Sequence, residues 1–167
     1  MPSTARAIVV MGVAGSGKTS VGEKLAAEFG YPFRDADEFH PAANIAKMSA
    51  GIPLVDADRW PWLDAIGTAI HDAGTGGIVI ACSALKRIYR ERIVARAGRP
   101  VTFVFLDASL QTLRERIGHR RGHFMPPSLL DSQLATLERP APDEHAITVS
   151  VEPPLDQVVA SVVAQLA

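Results

Sequence analysis

The 167-residue sequence has a single cysteine, Cys82. No disulfide can close within the chain, and a reducing compartment, the cytoplasm, is expected. No apolar run approaches the roughly 20 residues that a membrane-spanning helix requires. There is no excess of either charge. The formal net charge of -1 supplies no global field for nucleic acid or an anionic membrane, so a phosphate must be held by groups gathered locally. The basic residues are local and have no aromatic platform beside them, which argues against a nucleic-acid partner. No internal repeat, low-complexity tract or long polar linker divides the chain. A guanine-selecting Asn/Thr-Lys-x-Asp motif is missing, which weakens a GTP-driven switch.

What remains is an ordinary globular composition, 47 % hydrophobic and 21 % charged, at a length that suits one domain, 1–167, with a sizeable core. Apolar strand-like runs alternate with helical patterns, which predicts an α/β fold with a parallel sheet covered by helices. "RAIVVM" (6–11), "GIVIAC" (77–82) and "VTFVFLD" (101–107) read as strands, the last two as strands buried on both faces. A short strand precedes Asp35, and another is expected at 146–151. Residues 18–29 read as a helix with Val21, Leu25, Ala26 and Phe29 on one face. Asp56 is expected to cap a helix reaching about Asp72, with Trp62, Ile66 and Ile70 inward. Further helices are expected near 86–96, 109–117, 128–137 and 155–166. The short apolar stretch 7–13 after Arg6 could pass for a signal peptide, but the glycine-rich segment that continues it gives it another meaning.

That segment is "GVAGSGKT" (12–19), which fits G-x-x-x-x-G-K-S/T at every fixed position, with a strand before and a helix after. Gly12, Gly15 and Gly17 let the backbone turn tightly and aim its N–H groups inward. The next helix offers free N–H groups and the positive end of its dipole. The expected nucleotide-binding set is Gly12, Val13, Ala14, Gly15, Ser16, Gly17, Lys18, Thr19 and Ser20. Lys18 reaches the β- and γ-phosphates and the Thr19 hydroxyl can ligate Mg²⁺. A glycine-rich turn with an incidental lysine is the plain alternative, and the flanking pattern disfavours it.

P-loop proteins commonly add a carboxylate at the end of a second strand. In the strand order usual for small P-loop kinases the strand beside the P-loop strand is the third, here "GIVIAC", which ends in Cys82 and Ser83 and brings none. Asp107 reads instead as a turn or cap residue before the next helix. The missing charge must come from another loop on the carboxyl-end rim of the sheet, where open α/β folds bind ligands. "RDADEFHP" (34–41) is best placed. Asp35 and Asp37, two apart, could face a metal and a substrate hydroxyl; a solvated acidic turn that caps the next helix is the plain alternative.

The stretch 114–127, "RERIGHRRGHFMPP", carries Arg114, Arg116, Arg120 and Arg121 between glycines and prolines. An arginine-rich loop of this kind suits phosphoryl transfer, because its closure brings guanidinium groups onto developing charge and excludes water. Some of these arginines also fit a helix C-terminus. A metal site at His119 and His123 is disfavoured by the four neighbouring cations. Lys86 and Arg90 stand at i, i+4 and could face an acidic substrate or simply be surface charge. Arg59 could clamp an anion or pair with Asp56. Trp60 and Trp62 read as packing residues, and Cys82 as a packed small residue rather than a nucleophile.

Taken together, "MGVAGSGKTS", "DADEFHPAANIAKMSAGIPLVDADRWPWL", "ACSALKRIYRERI", "RRGHF" and "LLDSQLATLERP" resemble the small bacterial-type gluconokinases, P-loop kinases related to shikimate kinase. The likeness spans nearly the whole chain. The pattern of His40, Pro41, Asn44, Ile45, Lys47 and Met48, and that of Asp58, Arg59, Pro61, Trp62 and Leu63, are more specific than the P-loop. The resemblance implies ATP- and Mg²⁺-dependent phosphorylation of D-gluconate at its terminal hydroxyl, giving 6-phosphogluconate. It implies a three-layer α/β/α fold with a five-stranded parallel sheet of order 2-3-1-4-5, a mobile lid near 118–127, and a homodimer. It places Asp35 at Mg²⁺ and Asp37 at the sugar hydroxyl. It makes His40, Arg59, Ser83, Lys86 and Arg90 substrate-side residues, and Arg116 and Arg120 ATP-side or lid residues. The family's Asp-Gly-Asp has Ala36 in place of its glycine here. Lys18, Asp37 and Arg120 would then carry the chemistry. The rivals are a kinase for another polyhydroxy acid or for shikimate, and a nucleotide-gated switch.

Overall fold

Alternating apolar residues in the first strand decide how the layers stack. The computed structural model describes residues 5–118 and 127–166. In it β1 (Ala7–Met11), β2 (Phe33–Asp35), β3 (Ile78–Ala81), β4 (Thr102–Asp107) and β5 (Ile147–Ser150) form one parallel sheet in the order β2-β3-β1-β4-β5. The central strand has Val9 opposite Ile80 on one side and Phe103 on the other. Successive side chains of a strand point to opposite faces, so Val9 and Met11 enter one core and Ile8 and Val10 the other.

The helices are α1 (Lys18–Phe29), α2 (Ala42–Ser49), α3 (Asp56–Asp72), α4 (Arg87–Ala97), α5 (Leu110–Gly118), α6 (Pro127–Thr136) and α7 (Leu155–Leu166). Helices α3 and α4 cover the Val9 face with Leu63, Ile66, Ile70 and Ile93, all fully buried. Helices α1 and α7 cover the Ile8 face with Val21, Leu25, Val158 and Val162. A third cluster, Val13, Leu85, Leu113 and Leu130, joins α5 and α6 to the loops after β1 and β3. Because all strands run one way, the loops after β1, β2 and β3 open on one rim.

Three local expectations change. Helix α2 has no counterpart among the helices expected from sequence. Its Ile45 and Met48 are about half exposed and only Asn44 is buried, so it lacks the inward apolar stripe by which a helix announces itself. Asp56 does not cap α3 but lies in its first turn. Val55 is the cap residue, and the Asp58 carboxylate accepts its N–H at 2.9 Å. Asp107 does not cap α5; the Ser109 hydroxyl does, accepting from Thr112 N–H at 3.1 Å, while Asp107 pairs with Arg139. Of the expected lid, 119–126 lies outside the described residues, Arg120, Arg121, His119 and His123 with it. No described helix is long and apolar enough to cross a membrane.

Candidate active site

The loop between β1 and α1 has the form its glycines require. Gly12 has φ +153, and a Cβ there would lie 2.8 Å from Ser16 Oγ. Gly17 starts α1 at φ +96 with no side-chain cap, so the N–H groups of the first helical turn are left for an anion. Ser16 is fully buried, and its hydroxyl has no hydrogen-bond partner among the described residues. An orphaned hydroxyl beside uncapped N–H groups suits phosphate oxygens. Lys18 Nζ donates to Val13 O at 3.0 Å, which folds its side chain back along the loop. Arg116 donates to Ser16 O at 3.2 Å and to Val151 O at 2.9 Å. It lines a groove of about 400 Å³ with Gly15, Gly17, Ser20, Pro153 and Leu155.

Beside this loop β2 delivers the acidic turn. Asp35 Oδ1 accepts the Asp37 N–H at 2.9 Å and caps a 3₁₀ turn, Ala36–Phe39; Glu38 returns a bond to the Asp35 N–H. The capping role is therefore real for Asp35, and it occupies one carboxylate oxygen. Asp37 is different. Its side chain is exposed on the rim, yet partial desolvation by its neighbours, and next the charge of Asp35, raise its pKa above the ordinary value, against the opposing pull of His40 and Lys18. Lys18 and Asp37, far apart in sequence and brought together by the sheet, thus act on one another electrostatically.

The His40 ring stacks on Trp62 with centroids 4.4 Å apart and planes 9° apart. Trp62 Nε1 in turn donates to Ala36 O at 2.7 Å and pins the acidic turn. The Asn44 amide nitrogen donates to Asp58 O at 2.9 Å and meets His40 Nδ1 at 3.2 Å. This arrangement makes Nδ1 the acceptor and leaves the ring proton on Nε2. Burial, first of all, lowers the His40 pKa, and Arg59 adds to it while Asp37 opposes. His40 is accordingly neutral near pH 7.

Two of the expected substrate-side cations, Lys86 and Arg59, gather round Asp56. Its carboxylate accepts from the Tyr89 hydroxyl and, at 3.3 Å, from Lys86 Nζ, with Arg59 Nη1 3.8 Å away. Arg59 also donates to Leu54 O at 3.1 Å, and both cations lie over the Tyr89 ring. Ser83 is half-buried on the same rim, and its carbonyl accepts the Gly12 N–H at 3.3 Å. Cys82 is buried, and its thiol is pushed up to about 12, which rules it out as a thiolate nucleophile.

Arg90, expected on the substrate side, is buried and paired. Only 2 % of its side chain is exposed. Its Nε and Nη2 grip Glu144 at 2.6 and 3.1 Å, Nη1 donates to Ala84 O at 2.8 Å, and Nη2 also to Glu138 O at 3.0 Å. With four of its five N–H donors engaged, this guanidinium holds the loop after β3 in place. The helical i, i+4 spacing that groups it with Lys86 misleads because Lys86 sits just before α4 begins, in extended backbone. Sequence alone gives no sign that Asn44 and Trp62 support His40, nor that Gln133 Oε1 accepts the Ala14 N–H at 2.6 Å. Only "LLDSQLATLERP" points towards the last.

For a divalent cation the candidates are Thr19, in the first turn of α1, and Asp35. No group of three or more His, Cys, Asp or Glu converges among the described residues. That fits Mg²⁺, which keeps several waters and binds through one or two carboxylates and the substrate's phosphates.

The shikimate kinase family model matches residues 14–167. The gluconokinase of Gluconobacter oxydans is 51 % identical over 150 residues, which is 88 % of this chain and 83 % of that one. The thermosensitive gluconokinase of Escherichia coli is 47 % identical, covering 83 % of this chain and 75 % of that protein. The crystal structure of a gluconokinase from Sinorhizobium meliloti superposes with a TM-score of 0.88 at 50 % identity, over 98 % of this chain and 92 % of that one. With the P-loop, the acidic turn and the rim cations all on the same edge of one sheet, the chain belongs to the gluconokinase family of shikimate kinase-related P-loop kinases.

Proposed function

We infer that this protein is a gluconokinase: it transfers the γ-phosphoryl group of ATP to the terminal hydroxyl of D-gluconate and releases ADP and 6-phospho-D-gluconate. The observation that carries the mechanism is the placement of Asp37, in the turn after β2, on the same carboxyl-end rim of the sheet as the phosphate loop that holds Lys18. In the proposed step the sugar oxygen attacks the γ-phosphorus in line, a new O–P bond forms, and the bond to the β-phosphate oxygen breaks. Asp37 orients the hydroxyl and takes its proton, which then passes to solvent. A carboxylate whose proton affinity is raised is a better base for that purpose. Lys18, with Arg120 from the loop outside the described residues, balances charge on the transferring group. Most of the rate then comes from positioning and electrostatics. Mg²⁺, held by Thr19 and Asp35 together with the phosphates, would neutralise charge between the β- and γ-oxygens.

On the substrate side we assign the gluconate carboxylate to Lys86 and Arg59, and its hydroxyls to His40, Asp37 and Ser83. Asp56 holds the two cations in readiness at half-buried positions. The groove under Arg116, with Val151, Pro153 and Leu155 in its wall, suits the base and ribose of ATP. We further propose one cytoplasmic domain, 1–167, that pairs as a homodimer. Support for pairing comes from Ile45, Met48, Ile52 and Val55, apolar side chains about half exposed along α2 and the loop after it; sedimentation as a monomer would remove it.

The test is ADP release with Mg-ATP and a panel of acceptors: D-gluconate, its epimers, shikimate and none. Rapid turnover is expected with gluconate. Turnover with shikimate instead would move the substrate, and slow hydrolysis indifferent to every acceptor would favour a switch.

A further inference from the structure

We propose that Gln133 is a positioning residue of the phosphate loop, acting through the Val13–Ala14 peptide on Lys18. The two edges of that peptide are both occupied. Its carbonyl, Val13 O, accepts Lys18 Nζ at 3.0 Å. Its N–H, on Ala14, donates to Gln133 Oε1 at 2.6 Å. In a trans peptide the carbonyl and the N–H point in opposite directions, and no cis bond occurs among the described residues. Within the loop the same carbonyl also accepts the Ser16 N–H at 3.2 Å, and the grip of Gln133 on the N–H adds an external restraint that keeps the carbonyl turned towards the ammonium. Glycines at 12, 15 and 17 make this loop free to rotate its peptides, so an external restraint has something to restrain.

Gln133 is itself well anchored. Leu130, fully buried, and Leu134 and Leu137 repeat along α6 and just beyond it, and pack with Val13, Leu85 and Leu113. Val13 belongs to the very peptide that Gln133 holds, so packing and hydrogen bond locate the same unit. From there the chain runs directly to Glu138, whose N–H donates to Leu85 O at 2.7 Å and whose Oε1 accepts the Arg87 N–H at 3.0 Å. One segment thus restrains the loop after β1 with Gln133 and the loop after β3 with Glu138. A neutral amide suits the position: it supplies the acceptor without adding a negative charge beside a triphosphate site.

The inference rests on the ATP-site reading, and Mg-ATP binding to the unaltered protein tests that reading separately. The experiment compares Gln133→Met, which keeps the shape and removes the acceptor, with Gln133→Glu, which keeps the acceptor. It measures the Kd for Mg-ATP and, with gluconate saturating, kcat and both KM values. Gln133→Met should weaken Mg-ATP binding and lower kcat/KM for ATP about five- to tenfold, the equivalent of one hydrogen bond. The KM for gluconate should stay within about twofold. Gln133→Glu should recover part of kcat relative to Gln133→Met. In a Lys18→Met background, Gln133→Met should add no further loss of Mg-ATP affinity, since both act through one peptide. Three results would each overturn the proposal: unchanged Mg-ATP affinity in Gln133→Met, equal changes in both KM values, or fully additive losses with Lys18→Met.

Discussion

The two sides of this site are built in opposite ways. The proposed nucleotide side centres on one continuous loop, Gly12 to Ser20, made mostly of backbone N–H groups around Lys18, with Arg116 of α5 beside it. The substrate side, as proposed, has no continuous piece. It takes Asp37 and His40 from the turn after β2, Arg59 from α3, and Ser83 and Lys86 from the loop after β3. Side chains held by other side chains do its work, as with His40 on Trp62 and Asn44, or Lys86 on Asp56. A phosphate chain has the same shape in every ATP, so a fixed backbone cradle serves it. A particular sugar acid is recognised by a pattern of hydroxyls and one carboxylate, which requires side chains set at independent angles.

Substitutions can break that division, and the largest effect is expected at its one point of contact. Lys18→Met should lower turnover by about 10³-fold or more, because the charge of the transferring group loses its main protein counter-ion; the check is steady-state kcat with D-gluconate. Asp37→Asn should lower kcat by about 10²-fold while Mg-ATP still binds, read by titration calorimetry. The same variant should melt at most slightly higher at neutral pH, because the Asp37 side chain is exposed and solvent screens its charge. The Asp37 pKa is raised in the folded chain, so its contribution to stability is full below the unfolded value and is lost as pH rises through the folded one. At pH 7 the ionised carboxylate works against the fold, and Asn removes that cost.

Arg90→Met should destabilise the fold by about 3 kcal/mol, measured by urea unfolding, because it leaves the largely buried Glu144 without its partner. Lys86→Met should be milder and one-sided: about a tenfold rise in the KM for gluconate with the KM for ATP unchanged, the scale of one charge-assisted hydrogen bond. An equal rise for ATP would dissolve the distinction between the two sides. The smallest effect is on pH. The acid limb of kcat/KM for gluconate should titrate above the ordinary aspartate value and vanish in Asp37→Asn; a limb that persists unchanged belongs to another group.

The same contrast separates what the sequence makes legible from what it hides. The strands "AIVVM", "IVIA" and "TFVFLD", the phosphate loop and helix α1 are legible because each is written in contiguous residues. Sheet order comes through family resemblance rather than from spacing. Helix α2 stays hidden because its apolar residues face outward. Arg90 reads as a substrate residue because a charge in a sequence carries no sign of its surroundings; its carboxylate partner is 54 positions away. Gln133 stands in the family-like stretch "LLDSQLATLERP", but its partner is hidden for the same reason, 119 positions away at the N–H it holds.

By itself, then, the chain's order of residues determined the local geometry: glycines that permit the loop, an aspartate that caps its own turn, apolar runs that bury a strand on both faces. These interactions reach only a few residues and need no knowledge of the fold. Tertiary structure alone decided which charges share a space. It placed Asp37 on the same rim as Lys18, gathered Lys86 and Arg59 round Asp56, and sealed Arg90 against Glu144. Electrostatic interaction depends on separation and burial in space, and both are fixed only when the sheet has brought distant segments to one rim.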